Sequence, residues 1–301
     1  MPAAAAPETF IDPRVLAQVG DLVLLARTVV DGFLHGLHRS SRAGLSIDFA
    51  EHRPYQPGDD LRRIDWRVYG RTDRFYLKTY EADTNADVIF ALDASASMDF
   101  GSTGYTKFDY ARFLTASLAW LAQRQGDRVG LVTMSDDVLD VVPPSTRHLQ
   151  LLLHTIGRVR PHGAGRIPAV LDRVANMTMR SGIAVLVSDC YEDPATLRRA
   201  LGGIRARGQD VVVFHVIDAA ERDLPWSAPA NFEDAETSIR MPLRPDDLRS
   251  EYQEIFSRHR RDLLRELSGE GIDYFAVETD QPLDASLRTF LDRRLMGSRA
   301  R

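Results

Sequence analysis

The segment from Ala86 to Asp99, ADVIFALDASASMD, constrains the fold of this chain more than any other. Val88, Ile89, Phe90, Ala91 and Leu92 form an uninterrupted apolar run rich in β-branched and aromatic side chains. A run of that length and type suits a strand covered on both faces, the usual condition of a strand in a parallel sheet. At its carboxyl end stand Asp93, Ser95 and Ser97, separated by the small residues Ala94 and Ala96. One carboxylate and two hydroxyls at that end of a buried strand offer oxygen donors to a hard cation.

The surrounding chain alternates strands and helices. Apolar residues recur at helical spacing from Phe108 to Ala122, from Leu149 to Ile156, from Ile167 to Met177, from Pro194 to Arg207, from Leu248 to Leu267 and from Leu283 to Leu295. Between them lie short apolar strands at Val129–Met134, Ile183–Val187, Val211–Val216 and Ile272–Val277. Val138–Val142 follows Val129–Met134 through the tight Ser135-Asp136-Asp137 connection, which predicts an antiparallel hairpin. Phe232 to Leu243 suits a small separate hairpin. The pattern predicts a three-layer α/β fold, Rossmann-type, mostly parallel with one antiparallel edge strand. Residues 1–85 read as an amino-terminal α+β extension and 86–301 as the main domain. The extension carries an Ala- and Pro-rich tail, an amphipathic helix from Arg14 to Leu37, strands at Gly44–Tyr55 and Phe75–Tyr80, and a short helix through Trp66. His35 and His38 close the long helix three residues apart, a spacing that suits an exposed helix end and, less well, a metal pair.

Composition excludes several functions. The net charge of −5 over 301 residues gives no global attraction to nucleic acid or an anionic membrane. Cys190 is the only cysteine, which rules out an intrachain disulfide and argues against a cysteine-based zinc site. No apolar run approaches the roughly 20 residues that span a bilayer. The start, MPAAAAPETF, lacks the basic and apolar regions of a signal peptide. The expectation is a cytoplasmic protein with no membrane span and no nucleic-acid partner.

Two groups of residues carry chemistry. Asp189 follows the strand Ile183–Val187 as Asp93 follows Val88–Leu92, and ligands of open parallel sheets bind outside such strand ends. Asp93, Ser95, Ser97 and Asp189 together would suit magnesium, which takes oxygen ligands and keeps several waters. The same residues also suit helix caps and turn amides, and the local sequence leaves both readings open. The second group is RPYQPGDDLRRIDW, from Arg53 to Trp66. Gly58 permits a turn, Asp59 and Asp60 favour a helix start, Arg62 and Asp65 share a face, and Ile64 and Trp66 supply apolar anchors. It reads as an ion-paired element docking the extension onto the main domain, or as a binding site in its own right.

Asp93-Ala94-Ser95-Ala96-Ser97 resembles the Asp-x-Ser-x-Ser motif of von Willebrand factor A-type domains, where it forms a metal-ion-dependent adhesion site. The order of elements from 86 to 295 is similar to that fold. The resemblance implies that Ser95 and Ser97 ligate the cation directly, that Asp93 and Asp189 act largely through bound water, and that a partner's acidic group fills the open position. One feature departs from the family: the loop expected to supply a threonine reads Gly163-Ala164-Gly165-Arg166-Ile167, with no hydroxyl. Arg166 there adds positive charge and would bind a partner carboxylate itself. The Arg53–Trp66 stretch, with Arg71, Glu81 and the Asp93 motif, resembles the domain-of-unknown-function family numbered fifty-eight from about Gly44 into the sheet domain. Members are often encoded beside AAA+ ATPases of the MoxR type. The resemblance implies a non-enzymatic protein-interaction module and accessory factor of such an ATPase, with magnesium as its ion.

The alternative from a different class is a metal-assisted phosphoester hydrolase using Asp93 and Asp189. A third reading keeps the fold but makes the Asp93 site vestigial and places binding on the Arg53–Trp66 element. Gly101–Lys107, GSTGYTK, matches a phosphate loop only loosely, and its spacing is wrong for a Walker motif. Neither a Gly-x-Ser-x-Gly elbow nor a His-Glu-x-x-His pair occurs. A haloacid-dehalogenase-like phosphatase would place a second Asp where Ser95 stands.

Overall fold

The computed structural model describes residues 21–40, 52–54, 75–78, 86–177, 182–283 and 286–288. Helix α1 (Leu22–Ser40) is followed by a two-stranded antiparallel pair, β1 (His52–Pro54) and β2 (Tyr76–Lys78). Then come β3 (Asp87–Asp93), α2 (Lys107–Arg124), β4 (Arg128–Met134), β5 (Val138–Ser145), α3 (Leu149–Arg158), α4 (Ile167–Met177), β6 (Gly182–Ser188), α5 (Pro194–Arg205) and β7 (Asp210–Ile217). The chain continues through α6 (Ala219–Asp223), β8 (Ala230–Glu233), β9 (Arg240–Leu243), α7 (Pro245–Gly269) and β10 (Asp273–Glu278). Residues 283 and 286–288, within the last expected helix, are helical.

Six strands form one sheet in the order β10-β7-β6-β3-β4-β5. All neighbours are parallel except the β4–β5 pair, so the antiparallel strand lies at the edge, as expected. Parallel pairing demands crossovers, and the helices supply them on both faces. Along β3 the side chains alternate: Val88, Phe90 and Leu92 join the core under α1, α2 and α3, while Ile89 and Ala91 join the core under α4, α5 and α7. Every residue of β3 is buried, as the sequence run predicts. The fold is therefore the three-layer, von Willebrand factor A-like α/β class. From the amino-terminal extension, Leu25, Ala26, Val29, Val30 and Phe33 of α1 pack into the first of these cores.

Local signals set the boundaries. Thr106 and Asp109 form a reciprocal capping box at the start of α2, and Gly126 follows that helix with a φ of 85° that favours glycine. Asp193 caps α5, whose first residue is Pro194. The expected hairpin near residue 232 is β8–β9, paired from Ala230↔Leu243 to Glu233↔Arg240. The Gly101–Lys107 stretch is no phosphate cradle: Ser102 donates through its N–H and hydroxyl to Asp218 at the end of β7, and Tyr105 donates to the Thr279 carbonyl. Beyond Arg53 and Pro54, the Arg53–Trp66 element lies outside the described residues, as do Arg71 and Glu81. His35 and His38 fall on the last turns of α1. No helix among the described residues is long and apolar enough to cross a membrane.

His215 on β7 is buried, with Nδ1 2.7 Å from the Tyr274 hydroxyl. Burial, then the positive charges of His259, Arg260 and Lys107, pushes its pKa down to about 3. The folded state holds this imidazole neutral, whereas the unfolded chain protonates near pH 6.5. Its contribution to stability is full above pH 6.5 and is lost as the pH falls from there toward 3. Denaturant unfolding of His215→Asn is expected to depend less steeply on pH over this window than the native chain, by up to about 1.4 kcal/mol per pH unit. Equal slopes would remove His215 as the cause.

Candidate functional site

Strands β3 and β6 are parallel neighbours, with Leu92 opposite Val187. Their carboxyl ends therefore deliver Asp93 and the Ser188-Asp189 pair to the same end of the sheet. From β3 the chain runs outward to β4 and β5, then returns to lay β6 on the other side of β3. Connections leave this point in opposite directions, which opens a crevice above the strand ends.

Asp93 is fully buried at the base of that crevice. Its Oδ1 accepts from the Ser95 N–H at 2.9 Å and its Oδ2 from the Ser188 hydroxyl at 2.8 Å. The chain next bends through Ala94 into a single 3-10 turn, Ala96–Asp99. This bend sets the Ser95 and Ser97 hydroxyls 3.0 Å apart. Ala96 N–H donates to the Gly163 carbonyl, and His162 N–H to the Ala94 carbonyl, both at 2.9 Å. The loop before α4 is thereby stitched onto the motif. Gly165 lies beside Ser95, since a Cβ there would stand 3.7 Å from the Ser95 hydroxyl oxygen. Arg166 is exposed next to it.

Asp189 is held from another side. Its Oδ2 accepts from Lys107 Nζ at 2.8 Å, and the same ammonium donates to Glu221 Oε1 at 2.7 Å. Lys107 is wholly buried, and its ammonium lies 4.8 Å from the centre of the Tyr191 ring. The next residue, Cys190, is buried with φ 51°, a left-handed conformation rare outside glycine. Its N–H donates to the Ser188 hydroxyl at 2.9 Å, and its carbonyl accepts from His259 Nε2 at 2.8 Å. These two bonds hold the sharp turn that follows Asp189. All four residues expected at the site thus gather at one end of the sheet, three through the 93–97 turn and the fourth from β6.

The site carries excess negative charge. Burial and then the charge of Asp189 raise the Asp93 carboxyl to about 7, against the hydrogen bonds that lower it. Burial, followed by the charges of Asp93 and Asp189, raises Glu192 to about 8. Glu192 Oε2 is also buried without a hydrogen-bond partner. Lys107 offsets part of this charge at Asp189 and Glu221. A divalent cation near the Ser95 and Ser97 hydroxyls would offset the charge around Asp93 and lower its carboxyl pKa. The donor chemistry fits magnesium: hydroxyls and carboxylates from protein, with water completing the shell. Among the described residues no three His, Cys, Asp or Glu side chains gather closely enough to enclose an ion by themselves. Carboxylates alone therefore do not enclose an ion here, and the hydroxyls and water would complete its shell.

Lys107, Ser188, Glu192 and Glu221 were not legible as site residues. Lys107 stood in a loop resembling a phosphate binder, and only the fold turns it toward β6. Ser188 adjoins Asp189 in sequence, but nothing local shows that it bonds Asp93 across strands.

A mostly parallel sheet in this order, with an Asp-x-Ser-x-Ser turn at its switch point, defines a von Willebrand factor A-like domain. The family model described as "Protein of unknown function DUF58" matches residues 51–262, and the chain belongs to that family. An uncharacterized protein of Mycobacterium tuberculosis is 31% identical over 295 residues, covering 96% of this chain and 92% of its own length. An uncharacterized protein of Mycobacterium bovis matches to the same extent. Among solved structures, an aerotolerance-related membrane protein from Bacteroides fragilis superposes with TM-score 0.50 at 16% identity, over 68% of this chain and 96% of that one. The VWA domain of SpRpn10 aligns over 68% of this chain and 94% of its own, at 12% identity and TM-score 0.43.

The raised Asp93 carboxyl carries a linkage consequence. Its contribution to stability is greatest below pH 3.8 and is lost as the pH rises through about 7, where the folded chain must hold it ionised. At pH 8 in chelator, Asp93→Asn is expected to raise Tm by about 3 °C, because one buried charge is removed. Magnesium is expected to raise the native Tm and leave the variant unchanged. A native chain indifferent to magnesium, or a variant destabilised by several degrees in chelator, would contradict this electrostatic account.

Proposed function

We propose that this chain is a non-enzymatic protein-interaction module that binds an acidic group of a partner at a magnesium-centred site. The observation that carries the reading is the pair of Ser95 and Ser97 hydroxyls, 3.0 Å apart above the buried Asp93 carboxylate at the switch point of the sheet. In this reading the two hydroxyls ligate the ion directly, and Asp93 and Asp189 hold its waters. Asp189 is suited to that indirect role because Lys107 already occupies one of its oxygens. An ion held by neutral hydroxyls keeps much of its charge for an incoming carboxylate, which favours an acidic partner. Exposed Arg166 at the rim would add a charge-assisted bond to the same group.

We assign the partner as a MoxR-type AAA+ ATPase and the compartment as the cytoplasm. The support is the family's habit of being encoded beside such ATPases. Association of the full chain with a MoxR-type ATPase, followed by titration calorimetry, tests the reading. Affinity is expected to fall at least tenfold with chelator and in Asp93→Ala, while Asp60→Ala, on the upstream element, leaves the magnesium dependence intact. Equal affinity with and without chelator, and in Asp93→Ala, would remove the ion from recognition.

A further inference from the structure

The β8–β9 hairpin is tied to the site at both ends. Near its base, Phe232 meets Trp226 edge-on at 5.9 Å, and Trp226 meets Phe100 at 6.4 Å. Phe100 is the residue that ends the 3-10 turn of the Asp93 motif. At its tip the turn is tightly built. Asp234 Oδ1 accepts from the N–H groups of Glu236 and Thr237 at 3.0 and 2.7 Å, and Ser238 N–H donates to the Asp234 carbonyl at 2.8 Å. Ser238 takes φ 58° to close it. The tip carries the exposed side chain of Glu236 toward the loop before α4.

Glu236 Oε1 accepts from the Gly165 N–H at 3.1 Å. It stands 3.3 Å from the point a Cβ at position 165 would occupy, and the Ser95 hydroxyl oxygen stands 3.7 Å from the same point. A side chain at 165 would stand in tight contact with this carboxylate, which would have to shift by a few tenths of an ångström to admit it. The absent hydroxyl of the loop and the arriving carboxylate of the hairpin are thus two aspects of one arrangement.

We infer that Glu236 is the site's own acidic ligand, supplied in cis by the β8–β9 hairpin in place of the loop hydroxyl that Gly165 lacks. The inference rests on the reading of Asp93, Ser95 and Ser97 as a cation site. Glu236 approaches from the side of Ser95, where the backbone N–H of Gly165 steadies its carboxylate, and helps hold the ion directly or through one water. A tethered carboxylate acts at a high effective concentration. A partner's acidic group therefore engages the ion either by displacing the hairpin tip or by taking a position Glu236 leaves open.

Manganese serves as the probe, titrated into the full-length chain and followed by the electron paramagnetic resonance of the free ion. The native chain is expected to bind one ion and Asp93→Ala none. Glu236→Gln is expected to bind about tenfold more weakly, the usual range for a lost ligand or its supporting partner. Gly165→Ala keeps the carboxylate but crowds it, and is expected to weaken binding as well. Circular dichroism checks that all three variants fold. Native-like affinity in Glu236→Gln, with binding lost in Asp93→Ala, overturns the role of Glu236 and leaves the cation site standing. Absence of binding by the native chain overturns the cation site and this inference together.

Discussion

The hydrogen bond from the Ser188 hydroxyl to Asp93 Oδ2 joins the carboxyl ends of two strands 95 residues apart in sequence. It forms only when β3 and β6 are parallel neighbours in register, so it couples the correctness of the sheet to the geometry of the site. The same hydroxyl accepts from the Cys190 N–H, which fixes the left-handed turn that follows Asp189. One side chain therefore bonds Asp93 and holds the turn after Asp189. Removing it would leave Asp93 buried with an unsatisfied oxygen, at a cost of about 1–3 kcal/mol or more for a charged group.

Charge explains why the rest of the site has its form. The carboxylates of Asp93, Glu192 and Glu221 all feel the charge of Asp189, which pairs with a single buried ammonium, Lys107. Lys107 pairs with Asp189 and Glu221, yet burial still raises the carboxyl pKa of Glu221 as it does those of Asp93 and Glu192. A fold selected only for stability would place apolar groups here. The buried lysine orients Asp189, while Asp93 lies beneath the Ser95–Ser97 turn. The division matches a site that is preorganised on one side and left to receive a cation on the other.

Much of this was legible in the sequence, for identifiable reasons. Val88–Leu92 announced a buried parallel strand because alternate faces of a doubly covered strand are both apolar, and β3 contributes to both cores. The Ser135-Asp136-Asp137 connection announced the antiparallel edge because it is too short for a crossover. Asp93 and Asp189 were singled out by the same rule, a carboxylate at the carboxyl end of an apolar run. Lys107 and Glu221 escaped because their meeting depends on how α2 and α6 are set against β6 and β7. Glu236 escaped because its hairpin lies 71 residues beyond Gly165, and no local pattern points from one to the other. Gly165 itself was read as a gap, whereas the structure fills the space beside it from elsewhere in the chain.

The central claim is that a divalent cation sits between the Ser95–Ser97 turn and the carboxyl ends of β3 and β6. Crystals of the full chain grown with manganese, measured at an energy where that ion scatters anomalously, test it most directly. The account predicts one strong anomalous peak within coordination distance of the Ser95 and Ser97 hydroxyl oxygens, with water between the ion and Asp189. A peak only elsewhere on the molecule, or no peak at saturating manganese, would contradict it.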